Sequence, residues 1–338
     1  WSYLTNKQTN KQTNNTMKNK ILALFASLSM SGFVFGDIQI GENVTIKGFL
    51  DASYQNTNSD VNTADSSDVS LDEVEIDFLF NSGAVSARVD LDTNPNGLAG
   101  DDGLDIEQAH FTYTTDGGLG ITVGRMGTTL GFEGEDPSGL YTYSRAYQDS
   151  SYNFGDIDGT GIFSRNDGIR LSYALEAFSL TGTIDQDTGT NLEGNDVNFE
   201  VSVAYTGTEN LSLEAGYRND KTSNAAINYA IWNVNAGYTA GKALVAAEYS
   251  NINPNDASRT LDAYMILLDY DFSDKLGGAI RYAKEDDPAS TTSSSSWTIA
   301  PNYSITENLG AILEYSDYEV GGANNDVKQL AVELTYTF

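Results

Sequence analysis

The C-terminal stretch Lys328-Gln-Leu-Ala-Val-Glu-Leu-Thr-Tyr-Thr-Phe338 decides how the rest of the sequence is interpreted. Its side chains alternate strictly in character. One parity carries Leu330, Val332, Leu334, Tyr336 and Phe338, and the other carries Gln329, Ala331, Glu333, Thr335 and Thr337. Successive side chains of a β-strand point to opposite faces. The stretch therefore predicts a strand with one apolar and one polar face.

The same alternation recurs from Val44 onward and predicts sixteen strands. An example is the apolar face formed by Val74, Ile76, Phe78 and Phe80. Short turns, such as residues 81–83 and 239–242, alternate with long polar connections, such as residues 56–67 and 92–103. Short turns at one end and long loops at the other are typical of a transmembrane antiparallel β-barrel. The predicted fold class is thus all-β, a single barrel of about 16 strands; 14 or 18 strands, or a soluble β-sandwich or β-helix, are the alternatives.

The start of the chain predicts a secretory signal. Met17 is followed by Lys18 and Lys20, then by the largely apolar run 21–35, with small or β-branched residues before position 37. We expect residues 1–16 to be an upstream segment outside the fold, residues 17–36 to be the signal peptide, and residues 37–338 to be one barrel domain. Residues 1–36 hold four lysines and no acids, so their removal would change the formal charge from −30 to −34.

Composition limits the partners and the chemistry. The chain of 338 residues has no cysteine, which excludes disulfides and thiolate metal sites. Its strongly negative charge argues against nucleic acid, because phosphate binding requires clustered Lys and Arg, and it favours cations as companions. No apolar run past residue 40 is long enough for a helical membrane span.

A barrel of sixteen strands is too wide for its own side chains to fill, so the sequence predicts an aqueous lumen. If the apolar parity faces lipid, the other parity lines that lumen. It carries the acids Asp51, Glu75, Asp77, Asp90, Glu200, Glu214, Glu248, Asp269, Glu314 and Glu333 and the bases Lys47, Arg88, Arg170 and Arg281. Acid in excess predicts a preference for cations, although some of these charges could simply pair across strands.

The longest connection runs from Met126 to about Gly161, and such length usually has a function. Here Gly124-Arg125 leads into Gly131-Phe132-Glu133, Ser144-Arg145-Ala146-Tyr147 follows, and Gln108-Ala109 precedes Phe111 and Tyr113. With these features the chain resembles the OmpL-like β-barrel porin family of Gram-negative bacteria. The terminal aromatic resembles that of outer-membrane barrels generally, which implies that Tyr336 and Phe338 form a signal for the barrel assembly machinery.

The resemblance implies that the long connection, the third external loop, folds into the lumen and forms a constriction. Its candidate residues are Glu133, Glu135, Asp136, Arg88, Arg125, Arg145 and Arg170. Arg125 departs from the pattern, because it falls on the apolar parity of its strand; a bulge could re-aim it, or the strand could end earlier. A loop that lies outside the pore is the alternative.

Two other patterns in the sequence give weaker indications of a functional site. His110 is the only histidine and has no nucleophile motif beside it, so it is interpreted as a polar lining residue, and no catalytic residue is predicted. Asp92, Asn94 and Asn96 match the start of a calcium loop, but Gly103 stands where such a loop has its glutamate, so an ordinary acidic turn is the simpler interpretation. We expect no cofactor.

Together these patterns predict an integral outer-membrane porin for passive diffusion of small hydrophilic solutes and ions, with cation preference. Its expected partners are membrane lipid and lipopolysaccharide, the assembly machinery, and small solutes and cations. A homotrimer is one of the oligomeric states that the sequence leaves open. The alternatives are a plugged structural or adhesive barrel, a sugar channel using Tyr141, Tyr143, Tyr147 and Tyr152, and, least favoured, a barrel enzyme.

Overall fold

The computed structural model describes residues 37–60, 65–93, 103–133, 136–147, 165–186, 197–221, 228–254, 260–287, 292–320 and 326–338. These residues form one short 3₁₀ helix, Pro137–Gly139, and seventeen strands. The strands are β1 Ile38–Ile40, β2 Val44–Ser59, β3 Ser66–Ser82, β4 Val85–Thr93, β5 Asp105–Thr114, β6 Leu119–Met126, β7 Asn166–Ala174, β8 Phe178–Gln186, β9 Asn198–Thr208, β10 Leu211–Lys221, β11 Asn228–Ala240, β12 Ala243–Pro254, β13 Leu261–Asp271, β14 Leu276–Asp287, β15 Thr292–Ser304, β16 Leu309–Val320 and β17 Val327–Thr337. No helix among the described residues has the length and hydropathy to span a membrane.

Strands β2 to β17 form a closed sheet. Each pairs antiparallel with the next along the chain, and β17 pairs with β2, with Leu334 opposite Ala52. The short β1 pairs with β2 at the start of the barrel. The prediction of a sixteen-stranded antiparallel barrel is confirmed.

Burial in the barrel is inverted relative to a water-soluble protein. On β17, Leu330 is 42% exposed and Tyr336 is 45% exposed, whereas Ala331 is 0% and Glu333 is 2% exposed. The same exposure of large apolar side chains continues around the sheet, for example at Ile266. An apolar outer belt around a polar interior is stable only when lipid surrounds the barrel.

Short turns join the strands at one end of the barrel. Gly83, between β3 and β4, and Gly241, between β11 and β12, have φ of 64° and 63°, a left-handed conformation that glycine adopts without steric cost. The longer connections lie at the opposite end. The longest of them, between β6 and β7, is called the inner loop below; its described parts are residues 127–133 and 136–147.

Gly48 and Phe338 form the seam where the last strand meets the first strand of the barrel. Their backbones exchange two hydrogen bonds, of 2.9 Å from the Gly48 N–H and 3.0 Å from the Phe338 N–H. The ring of Phe338 covers Gly48 so closely that a Cβ at position 48 would lie 2.9 Å from Cζ and would also collide with the carbonyl oxygen of Glu75. The terminal aromatic thus requires a glycine opposite it.

This contact gives a test of the seam. Gly48→Ala should destabilise the barrel by about 1–3 kcal/mol, the typical cost of overpacking, because neither the backbone nor the ring can move far. The measurement is the temperature at which the folded form loses its distinct electrophoretic mobility. Gly182→Ala is the matched control, since a Cβ there meets nothing within 4 Å. Equal melting temperatures for the two variants would contradict a tightly packed seam.

Candidate pore constriction

The inner loop begins against β9. Glu200 accepts a hydrogen bond from the Thr128 hydroxyl at 2.6 Å and one from the Thr129 backbone N–H at 2.9 Å. On the barrel side the same carboxylate lies 3.3 Å from Arg218. One buried glutamate therefore joins the loop to the charged inner face.

The next residues of the loop contact β11 and β12. The Gly131 N–H donates to the Asn233 side-chain oxygen at 3.3 Å, and the Phe132 N–H donates to Glu248 at 3.2 Å. Asn233 also donates to Glu248 at 2.6 Å. Polar side chains of the inner face thus satisfy loop backbone groups that would otherwise lack partners.

Arg281, on β14, binds both described parts of the loop. Its guanidinium donates to Glu133 at 2.5 Å and to the Thr142 hydroxyl at 2.6 Å. It also donates to the backbone carbonyl oxygens of Ser144, at 2.8 Å, and Arg145, at 2.7 Å. Hydrogen bonds to a charged group contribute about 1.5–3 kcal/mol each, so Arg281 is the strongest single attachment of the loop among the described residues.

Glu133 and Glu314 extend this attachment. The second carboxylate oxygen of Glu133 accepts from the Ala146 N–H at 2.7 Å, which joins the two described parts of the loop to each other. Glu314, on β16, accepts from the Ser144 N–H at 3.1 Å. The loop is therefore fixed by charged side chains at its middle as well as at its start.

An apolar patch also holds the loop. Leu130 and Tyr147 of the loop pack with Ile231, Leu267 and further buried side chains of β11 to β14. The patch exists because β13 is apolar on both faces: Leu261, Ala263, Met265 and Leu267 face inward while Tyr264, Ile266 and Leu268 face outward. The apolar residues on both faces of β13 are visible in the sequence, but a search for apolar–polar alternation assigns only one of these faces.

The described tyrosines of the loop are engaged with neighbouring side chains. Tyr141 stacks on Phe132 with ring centroids 6.4 Å apart, and the Tyr143 hydroxyl lies 3.1 Å from the Ser53 hydroxyl. Burial raises the pKa of Tyr141 to about 12, with Asp269 and Asp271 adding to the shift. Burial also raises the pKa of Tyr147 well above its ordinary value. These side chains are neutral and packed at physiological pH.

The facing part of the wall carries a row of carboxylates, called here the acidic ladder. It consists of Glu73, Glu75 and Asp77 on β3, Asp90 and Asp92 on β4, and Glu107 on β5. Arg88 lies 2.5 Å from Asp90, 3.4 Å from Asp77 and 3.8 Å from Glu75. Lys47 lies 3.1 Å from Asp77, and Arg165 pairs with Glu107. All six acids are buried, whereas the side chains of Lys47 and Arg88 are 30% and 26% exposed.

Ladder carboxylates approach each other closely enough to share a cation. Three groups have ligand atoms within 4.8 Å of one another: Glu73 with Asp92 and Glu107, Glu75 with Glu107 and Asp136, and Glu75 with Asp77 and Asp90. Asp136 belongs to the inner loop, so the second group bridges the loop and the wall. Burial raises the pKa of Asp136, Arg88 opposes the shift and Asp77 adds to it.

A second charged cluster lies between β7 and β10. Arg218 contacts Asp185 at 2.8 Å, Asp220 at 2.7 Å and Glu200 at 3.3 Å. Arg170 lies 3.9 Å from Glu200 and donates to the Gly127 carbonyl oxygen at 2.5 Å. Charges of both signs are thus compensated beneath the start of the loop.

The structure brings most of the sequence-predicted site residues together. Glu133 and Arg145 contact Arg281, Asp136 approaches the ladder, Arg88 lies within the ladder, and Arg170 lies at the loop start. The predicted lining acids Asp51, Glu75, Asp77, Asp90, Glu200, Glu248, Glu314 and Glu333 are buried on the inner face, and Glu214 and Asp269 are partly buried there. His110 lies on the same face, and its Nδ1 has no hydrogen-bond partner among the described residues.

Arg125 is placed elsewhere. It shares the outer face of β6 with Ile121 and Val123 and pairs with Asp167 at 3.1 Å, so it does not join the constriction. Glu135, Asn94, Asn96 and Tyr152 lie outside the described residues. Asp92, from the calcium-loop pattern, points instead into the ladder.

Sequence alternation alone would miss Glu107. Counting back from Phe111 and Ala109 assigns it to the outer face, yet it is buried among the ladder acids. The register between β4 and β5 shifts between Asp90 and Leu91, and a bulge of this kind re-aims the neighbouring side chain. Arg218 and Glu73 are further inward-facing residues of the site. Both follow the polar parity of their strands, so alternation alone is enough to place them on the inner face.

Arg281 offers a test of the loop attachment. Arg281→Gln should allow trypsin to cut after Arg145 in the folded barrel at least about tenfold faster, because a few kcal/mol of charge-assisted bonding is lost. Lys284→Gln is the matched control; Lys284 lies on the outer face of the same strand and pairs with Asp286. Cleavage is followed by mass spectrometry of the fragments. Equal resistance of both variants would show that Arg281 does not hold the loop.

Comparison with known proteins agrees with this architecture. The structure is similar to the anion-selective porin from Comamonas acidovorans (TM-score 0.70, 14% identity, 88% of this chain and 99% of that chain). It is also similar to the outer membrane channel DcaP of Acinetobacter baumannii (TM-score 0.64, 15% identity, 89% of this chain and 99% of that chain). A third similar structure is the trimer form of OmpT from Vibrio cholerae (TM-score 0.57, 13% identity, 88% of this chain and 100% of that chain).

No curated protein sequence matches the chain significantly. The profile of the Gram-negative porin family, by contrast, matches residues 21–337, nearly the whole chain. Together with the closed barrel and its apolar outer belt, this match identifies an integral protein of the outer membrane. The chain belongs to the Gram-negative porin family.

Proposed function

We propose that this porin lets small hydrophilic solutes and ions diffuse passively through its lumen, with a preference for cations. The observation that carries the proposal is the charge of the inner face. Among the described residues, buried acids there greatly outnumber buried arginines, which are Arg170, Arg218 and Arg281. A low-dielectric wall with surplus negative charge raises the local concentration of cations.

The inner loop supplies the selective element in this proposal. Its contacts run from β9 through β12 and β14 to β16, while Asp136 approaches β3 and β5. A loop held on both sides narrows the lumen and brings permeating ions close to the ladder. Diffusion then requires no chemistry, and we propose no enzymatic activity.

A plugged structural barrel is the second candidate, and a specific observation favours it. Lumen-facing Glu314 and Arg281 are fully buried by the loop and the wall, which reduces the free cross-section. A sugar channel is less favoured, because Tyr141, Tyr143 and Tyr147 pack against neighbouring side chains instead of forming an exposed aromatic rail.

The proposal includes the partners of the barrel. A homotrimer is supported by the trimer form of the similar OmpT, and lipopolysaccharide of the outer membrane is proposed to surround it. Assembly-machinery recognition of Tyr336 and Phe338 is supported by their position at the closing seam. We also propose membership in the OmpL-like branch, on the motifs of the inner loop.

Planar-bilayer recording of refolded residues 37–338 in a salt gradient tests the function. We expect stepwise conductance with a reversal potential on the cation-selective side. Conductance on the anion-selective side would refute the cation preference and show that the partly exposed Lys47 and Arg88 control selectivity. A verified, folded barrel without conductance would refute the channel and leave the plugged barrel.

Lys47 allows a sharper test of the lining charge. Lys47→Gln removes a partly exposed positive charge from the inner face and should raise the cation-to-anion permeability ratio on the order of twofold, a size expected for a screened charge in a partly hydrated site. Arg125→Gln removes the same charge from the outer face and should leave the ratio unchanged. Both ratios come from reversal potentials. A larger shift for Arg125→Gln would mean that Arg125, not Lys47, faces the pore.

A further inference from the structure

We infer that the porin binds a divalent cation between the inner loop and the acidic ladder, with Glu75, Glu107 and Asp136 as ligands. Carboxylate oxygens of these three residues lie within 4.8 Å of one another. Glu75 comes from β3, Glu107 from the bulged part of β5, and Asp136 from the loop. The site is therefore assembled only when the loop lies against this wall.

The state of Glu75 points to a ligand. Its side chain is 1% exposed, and neither carboxylate oxygen has a hydrogen-bond partner among the described residues. The neighbouring base Arg88 has its guanidinium 3.8 Å away and lies closer to Asp90. A carboxylate removed from water without hydrogen bonds costs several kcal/mol unless it is neutralised. A cation coordinated by both oxygens would provide that neutralisation.

The charged groups around Glu75 also leave negative charge uncompensated. Arg165 pairs with Glu107 and also attracts Glu75, Asp92, Glu73 and Asp90. Arg88 is shared among Glu75, Asp77 and Asp90. Next to Glu107, the ladder continues with Glu73 and Asp92, and one oxygen of each has no hydrogen-bond partner among the described residues. The local bases are thus too few for the local acids, and a doubly charged cation would compensate the surplus negative charge.

The donor set selects the kind of ion. Three carboxylates and no nitrogen or sulfur ligand suit a hard cation that prefers oxygen. Ligands from two strands and a loop do not impose ideal octahedral geometry, which favours Ca²⁺ over Mg²⁺. Water molecules would complete the coordination.

The cation would act on the pore in two ways, and this consequence rests on the proposed channel function. It would hold the Asp136 part of the loop against β3 and β5, complementing the attachment of the rest of the loop by Arg281 and Glu314. It would also cancel negative charge where the loop meets the acidic ladder. Removing it should therefore increase cation selectivity and loop mobility together.

Calorimetric titration of the folded, EDTA-stripped barrel with CaCl₂ tests the site. We expect one saturable site per barrel, weakened at least about tenfold in Asp136→Asn and in Glu75→Gln, because each removes one of three charged ligands. Asp269→Asn is the control, since it neutralises an inner-face acid of β13 outside the ladder. Heat-modifiable mobility verifies that each variant is folded; Asp136→Asn changes a loop residue, so its folding is the least affected.

The outcomes separate this inference from the proposed function. Absence of saturable Ca²⁺ binding, or equal affinity of Asp136→Asn and the unmodified barrel, would overturn the site. Bilayer recordings of the same samples with Ca²⁺ or EDTA report on the channel independently. A barrel that conducts but does not bind Ca²⁺ refutes the site alone, whereas one that binds Ca²⁺ but does not conduct supports the site and refutes the channel.

Discussion

The pairing of β17 with β2 is the constraint on which the rest of the structure depends. Lipid offers no partners for backbone N–H and C=O groups, so a sheet can cross the membrane only when its two edges satisfy each other. The pairing of β17 with β2 does this along the whole height of the barrel, from Thr337 opposite Phe49 to Val327 opposite Ser59. Closure also fixes the register of the strands. A slip by one residue would move every side chain of a strand to the opposite face, so the register determines which residues face lipid.

Closure creates a second requirement inside the barrel. The polar parity is enclosed, and its charges need partners other than bulk water. Two solutions coexist here. Between β7 and β10, Arg218 compensates three acids directly. From β11 to β16, the inner loop provides backbone donors to Glu248 and Glu314 and acceptors to Arg281. The loop is therefore part of the electrostatic structure of the wall and not an independent appendage.

The sequence alone predicts the strands well, because period-two alternation reports directly on a sheet that is apolar on one side and polar on the other. It predicts the constriction less completely, for identifiable reasons. Alternation cannot reveal the bulge that turns Glu107 inward. It assigns one apolar face to β13 and so misses the inner patch of Leu261, Met265 and Leu267. It also cannot tell that Arg281 pairs with Glu133, because these residues are 148 positions apart and are brought together only in the folded barrel.

The two sides of the lumen are consequently unequal. On the side of Arg281, the loop supplies hydrogen-bond partners to Arg281, Glu248 and Glu314, which reduces the free field of these groups. On the side of β3 to β5, Glu75, Glu73 and Asp92 retain oxygens without hydrogen-bond partners among the described residues, and only a few bases stand against them. An uncompensated field in low-dielectric surroundings acts on whatever ion is nearest. The wall of Arg281 therefore holds the loop by direct hydrogen bonds, whereas the wall of the acidic ladder meets the loop with surplus negative charge.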